Sequence, residues 1–298
     1  MNTFFKHRIS RAIWTSAMGD SVGYPFEFQT EVNTNHIKDL ISAKSELYIT
    51  DDTQMTLFAL DALGGLNIDL ISAAYVDWYY TQVTPSSLAQ VYASDMEYLL
   101  SQEKMYVQRA PGITCLTACR SIMDDSVVDN SSKGCGAVMR LLPFVSLFET
   151  HDREEVIQFA IQTGELTHKH PEIKYAVRLY MELAYAMMVD GDTSLWSDGL
   201  WEHVLEVGTE KSIEDCGTGW TALECVDMAI WALHNSSSLE EILVNSIAHS
   251  GDSDSVAAVA CGLYGLSNKF QQTDTATFNH LKSRIVEKEI IQHVLDAM

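Results

Sequence analysis

The sequence predicts an all-α fold, and three observations carry that expectation. Apolar residues recur every three or four positions through most of the 298 residues. Alternating strand-type runs are scarce. Only five prolines occur, and no Pro- or Ser-rich linker divides the chain. A single compact multi-helix domain over residues 1–298 is therefore expected.

The helices follow in order. The first is expected over residues 8–18, where Ile9, Ile13, Trp14 and Ala17 share a face. The second covers 53–63, with Met55, Leu57, Phe58, Ala59 and Leu63. The same spacing predicts helices over 69–80, 86–101, 113–124, 136–148, 152–163 and 172–189. It predicts four more over 221–234, 238–249, 254–270 and 274–297. Stops are expected at Gly23-Tyr24-Pro25, Gly64-Gly65 and Asp190-Gly191-Asp192.

Composition narrows the function classes. Hydrophobic residues make up 47%, enough for a sizeable core, so a disordered chain is not expected. The net charge of −22 repels a polyanion, which argues against bulk nucleic-acid binding. No run is long and apolar enough for a membrane span or a signal-peptide core. The six cysteines form no C-x-x-C pair and read as free thiols in a reducing compartment. A cytoplasmic protein with no membrane partner is the expectation.

Two helix starts carry more charge than a cap requires. Thr50-Asp51-Asp52 precedes one helix, and Asp252-Ser253-Asp254-Ser255 opens another. One Asp, Ser or Thr satisfies a free backbone N–H, and the helix dipole favours one negative charge there. Four carboxylates brought together would repel one another unless cations sit among them. Carboxylates and hydroxyls are the donors that Mg²⁺, Mn²⁺ and Ca²⁺ take. No His or Cys adjoins them in sequence to suggest zinc, and the spacing lacks the longer loop of an EF-hand. From this chemistry alone, a cation site and two unrelated acidic caps explain the clusters equally well.

A third connection, SSKGCGAVMR, brackets Cys135 with Gly134 and Gly136 ahead of the helix expected over 136–148. Glycines there let the backbone approach a ligand, and free N–H groups could hold a phosphate, with Lys133 in support. Two glycines before a helix also make an ordinary turn. Cys135 reads as packing, and Arg140 as an anion contact or a buried structural residue.

Taken together, GDSVGYPFEF, TDDTQMTL, RAPGITCLTA, SKGCGAVMRLLPF, THKHPE, GWTALECV and SGDSDSVAAVACGLYG occur in this order from Gly19 to Gly265. Their order and wording resemble the ADP-ribosylglycohydrolase family, which includes dinitrogenase reductase-activating glycohydrolases and ADP-ribosylarginine hydrolases. The resemblance implies an all-α fold with two divalent cations, Mg²⁺ or Mn²⁺, in a cleft. It places metal ligands at Thr50, Asp51, Asp52, Asp252, Asp254 and Ser255. It places an acid in the first loop at Glu27, as a ligand or an acid/base group, and gives Asp254 the bridging or water-orienting position. ADP-ribose contacts fall on Ser132, Lys133, Gly134, Cys135, Gly136 and His168.

The implied reaction is hydrolysis of the bond between ribose and a modified protein side chain, with arginine favoured, releasing ADP-ribose. Its transition state has oxocarbenium character. The family commonly carries Thr where this chain has Ser255, and often where it has Ser253; serine keeps the oxygen but lacks the methyl that fixes the rotamer. Two alternatives accompany this reading. One is an immunity-type protein that blocks or reverses an ADP-ribosylating toxin. The other is a catalytically silent structural relative.

Overall fold

The computed structural model describes residues 2–85, 97–188 and 198–298. These residues form fifteen α-helices joined by turns and short 3-10 segments. No strand occurs among them; two isolated bridges, Leu47 to Ile285 and Gly134 to Thr221, are the β-type contacts.

Two helices occupy the centre. Helix α1 (Thr3–Gly23) begins where the Asn2 side chain accepts the Phe5 N–H, and every residue from Ala12 to Gly23 is buried. Helix α13 (Ser253–Leu266) is buried at every position. A helix apolar or small on all faces belongs inside a protein rather than at its surface. The two pack backbone to backbone. A Cβ at Gly19 would lie 2.2 Å from the Ala257 carbonyl oxygen, and one at Gly23 would lie 2.6 Å from that of Ser253. Ala257, Ala258 and Ala260 supply the matching small face on α13.

The remaining helices wrap this pair. Helices α3 (Asp51–Asp61), α11 (Ala222–His234) and α12 (Leu239–Ile247) contact it directly. Helix α4 (Ile68–Val83) lies between α3 and α6 (Ile113–Met123). Helices α7 (Arg153–Glu165) and α8 (Glu172–Met188) pack on each other, and α9 (Asp198–Thr209) covers α11. The others are α2 (Thr34–Ser42), α5 (Glu97–Ser101), α10 (Ile213–Cys216), α14 (Thr275–Arg284) and α15 (Lys288–Ala297).

Several sequence expectations need correction. Residues 136–148 are not an α-helix: 3-10 turns run over Cys135–Ala137 and Leu142–Glu149. Pro143 lacks an N–H and disfavours helical backbone at the residue before it, although the apolar side chains still reach the core. The stretch 274–297 splits into α14 and α15, because Leu47 pairs with the backbone at Arg284 and Val286 between them. Helices α2, α9 and α10 were not expected. Most of the helix expected over 86–101, and the stop at Asp190-Gly191-Asp192, lie outside the described residues. Among those residues, no helix is long and apolar enough to cross a membrane. All six cysteines are free.

Candidate active site

Helix α3 is capped by a hydroxyl rather than by an acid. The Thr50 Oγ1 accepts the Asp52 N–H at 3.4 Å, so neither neighbouring carboxylate has to cap. Asp51 Oδ2 instead accepts the N–H of Gly112, in the loop before α6, at 3.1 Å. Asp52 Oδ1 accepts the Ser255 hydroxyl at 3.3 Å, while its Oδ2 is buried without a hydrogen-bond partner.

Helix α13 tells the same story from the other side. Asp252 stands at its N-cap, yet its side chain makes no capping bond. The Asp252 N–H donates to the Thr218 carbonyl at 3.0 Å. Gly251 makes that turn with φ of 139°, where a Cβ would lie 2.1 Å from the same carbonyl oxygen, so a side chain is sterically excluded. Ser255 joins the two clusters, because its hydroxyl reaches Asp52 across a separation of 203 residues. Carboxylate oxygens of Glu27, Asp252 and Asp254 lie within 4.8 Å of one another. The acids converge, and the reading of two unrelated caps loses its support.

The electrostatics follow from that convergence. Among the described residues, no Lys or Arg forms an ion pair with Glu27, Asp51, Asp52, Asp252 or Asp254. Burial first, and then Asp252, Asp51 and Asp20, pushes the Glu27 carboxyl up to about 8. Burial raises Asp51 to about 8 as well, against the Gly112 N–H bond. Asp52 and Asp254 are held well above the ordinary carboxylate range by burial and then by neighbouring carboxylates. Burial also raises Asp252. Such a group of acids is relieved either by protons or by cations.

The acids open onto a cleft of about 460 Å³ that includes Gly134, Cys135, Gly136, His168, Phe28 and Trp220. Gly136 matters here for space: a Cβ would lie 2.8 Å from Cys115 Sγ and 3.1 Å from the His168 ring. Burial, with Arg140 nearby, drives the His168 pKa down to about 3, so the ring is neutral. Its Nδ1 lies 2.8 Å from Thr167 Oγ1, and that oxygen accepts from Arg140 at 2.5 Å. When the Thr167 hydroxyl donates to Nδ1, the ring proton sits on Nε2, the nitrogen closest to a Cβ built at Gly134.

Other expected residues are placed differently. Lys133 pairs with Glu172 at 3.4 Å and does not line the cleft. Ser132 does not line the cleft; its hydroxyl bonds Oγ1 of Thr114, which does, at 3.0 Å. Cys135 is more than packing: its thiol lies 2.6 Å from Asp252 Oδ2, so a cysteine does adjoin the acids in space. Arg140 is structural, bonding Thr167, the Thr163 carbonyl and two sulfurs, with its guanidinium 4.2 Å from the centre of the Tyr75 ring.

Two features escaped the sequence. Asp20, fully buried in α1, accepts the N–H and hydroxyl of both Thr50 and Thr53. A lone Asp inside a helix gives no pattern signal. The second is the stacked pair Phe28 and Trp220, with ring centroids 5.3 Å apart. Both lie in quoted motifs, but nothing in the sequence pairs them.

With this geometry in view, a model of the ADP-ribosylglycohydrolase family matches residues 1–291. The chain belongs to the ADP-ribosylglycohydrolase family. It is similar to a protein of Acanthamoeba polyphaga mimivirus described as a candidate ADP-ribosyl glycohydrolase, with 22% identity over 310 aligned positions, covering 89% of this chain and 88% of that one. A solved structure described as an ADP-ribosylglycohydrolase-related protein complex shares the fold. It has a TM-score of 0.69 and 18% identity, covering 99% of this chain and 97% of that one. ADP-ribosylglycohydrolases release ADP-ribose by hydrolysis, and that reaction class comes with the family. Divalent-cation use is typical of ADP-ribosylglycohydrolases, and this chain carries the acidic cluster such use requires.

Proposed function

We propose that the protein is a single-domain hydrolase over residues 1–298 that removes ADP-ribose from a modified protein side chain, with arginine as the favoured target. The observation that carries this reading is the set of uncapped, unpaired carboxylates on the wall of one cleft. The donor set fits hard divalent cations. The buried Asp52 Oδ2 and Glu27 Oε2 have no hydrogen-bond partner, and Glu27, Asp252 and Asp254 offer oxygens close enough to share an ion. Thr50, Asp51, Asp52, Asp252, Asp254 and Ser255 would hold two ions, Mg²⁺ or Mn²⁺. The Thr50 hydroxyl donates to Asp20 and accepts the Asp52 N–H, which leaves one oxygen lone pair for a cation.

Bound cations would supply Lewis-acid orientation of the ribose hydroxyls and a more acidic water. The chain's own residues do the rest. Asp254 orients the attacking water. Glu27, half-buried beside it, holds or returns a proton at its carboxylate oxygen as the bond to the side chain breaks. Gly134, Cys135 and Gly136 bring the backbone against the diphosphate. His168 adds a neutral N–H donor at Nε2. Ser132 braces that loop through Thr114, and Lys133, on the same loop, reaches the ligand by leaving its ion pair with Glu172. Six free thiols suit a reducing cytoplasm.

The test offers the purified protein ADP-ribosyl-arginine, ADP-ribosyl-serine and ADP-ribosylated DNA, each with Mg²⁺ and with chelator, and measures released ADP-ribose. Release from the arginine substrate, abolished by chelator and restored by Mg²⁺ or Mn²⁺, is expected. Equal turnover in chelator would rule out the metal assignment, and release from another substrate alone would move the target.

A further inference from the structure

The mouth of the cleft is aromatic, and the proposed catalytic groups do not use it. Phe28 is 67% exposed and Trp220 is 40% exposed, which is unusual for two large apolar side chains in contact. Their rings stack at 24° between planes. Both line the same cleft as the carboxylates. Among the described residues, no cation of the protein itself covers either ring.

Their positions are set by the backbone. Phe28 follows Glu27 directly and has φ of 66°, the left-handed region, which costs a non-glycine residue about 1–2 kcal/mol. Trp220 is tied to the glycine loop, because its carbonyl accepts the Cys135 N–H at 3.0 Å. Thr221, the next residue, caps α11 through its hydroxyl. The wall is therefore attached to the acid at one end and to the loop at the other.

We propose that Phe28 and Trp220 form the subsite for the leaving side chain and receive the planar guanidinium of arginine on their ring faces. This rests on the hydrolase reading above and names the determinant of its substrate class. The face of an aromatic ring attracts a cation within about 6 Å, and Trp does so best. A guanidinium is flat and weakly hydrated, so it stacks where an ammonium would stay in water. A serine hydroxyl has neither the charge nor the plane to use this wall. At a centroid separation of 5.3 Å the rings leave no room for a layer between them, because two stacked contacts need about 7 Å. The guanidinium therefore lies against the outer faces of the pair.

The experiment compares wild type with Phe28→Ala, Trp220→Ala and Trp220→Phe. Trp220→Ala is expected to lower kcat/KM for ADP-ribosyl-arginine about tenfold. Its effect on ADP-ribosyl-serine, and on inhibition by ADP-ribose, should stay within about twofold. Trp220→Phe should recover most of the loss. A parallel loss of ADP-ribose inhibition would overturn the proposal and assign the rings to the nucleotide. Equal losses on both substrates would overturn it too. A second measurement needs no turnover: agmatine, a bare guanidinium probe, should quench wild-type tryptophan fluorescence and leave Trp220→Ala unchanged. Quenching in a protein that releases no ADP-ribose would sink the hydrolase reading and leave the subsite standing. Identical titrations of the two proteins would sink the subsite alone.

Discussion

The Asp20 carboxylate receives both the backbone N–H and the hydroxyl of Thr50, at 2.9 and 2.7 Å. This joint fixes the end of the central helix α1 to the start of α3, one residue before Asp51. Asp20→Asn turns one acceptor oxygen into a donor among groups that already donate. It should cost about 1–3 kcal/mol of stability. If the joint also positions the cluster, Mg²⁺ affinity should drop as well. Calorimetry with and without Mg²⁺ reads both, and unchanged ion binding would confine Asp20 to a structural role.

Asp252→Ala removes a carboxylate that does no capping. Helical content by circular dichroism should stay near wild type, while ion binding and ADP-ribose release are lost. Undiminished turnover would remove Asp252 from the site.

Glu27→Gln keeps the shape and removes the titratable oxygen. Turnover should fall about 10²- to 10⁴-fold, with ADP-ribose binding little changed. A defect confined to binding, measured by calorimetry, would make Glu27 a positioning residue.

Stability should depend on pH with a definite sign. Glu27 and Asp51 are raised to about 8 in the folded protein, against about 4 when unfolded. Between those values the folded state binds more protons, so its stability is full at the low end and is lost as pH rises through about 8. His168 runs the other way, but only below its unfolded value of about 6.5. In chelator, Tm should therefore fall from pH 6.5 to 9. Added Mg²⁺ should flatten the slope, and Glu27→Gln should lose part of it. A Tm that rises over this range in chelator would contradict the assignment.

The sequence signals that survived were local ones. Thr50-Asp51-Asp52 and Asp252-Ser253-Asp254-Ser255 stood out because each cluster held more acid than one helix start can use. What failed depended on distant partners. The turn that splits α14 from α15 is held by Leu47. The partnership of Phe28 with Trp220 joins loops far apart in the chain. Apolar spacing across 136–148 reported burial correctly but not conformation, since 3-10 turns bury a similar set.

The pairing of α1 with α13 has a consequence for synthesis. Helix α1 is buried along most of its length, and its main partner, α13, lies far downstream in the chain. Until residues beyond 250 leave the ribosome, the apolar surface of α1 lacks its main partner. The acid cluster also stays divided between two distant segments, and closing so long a loop is slow. The nascent chain can therefore bring its acid cluster together only after both segments have been made. A helper that shields α1 in the interval would raise the yield of active protein without touching the finished enzyme.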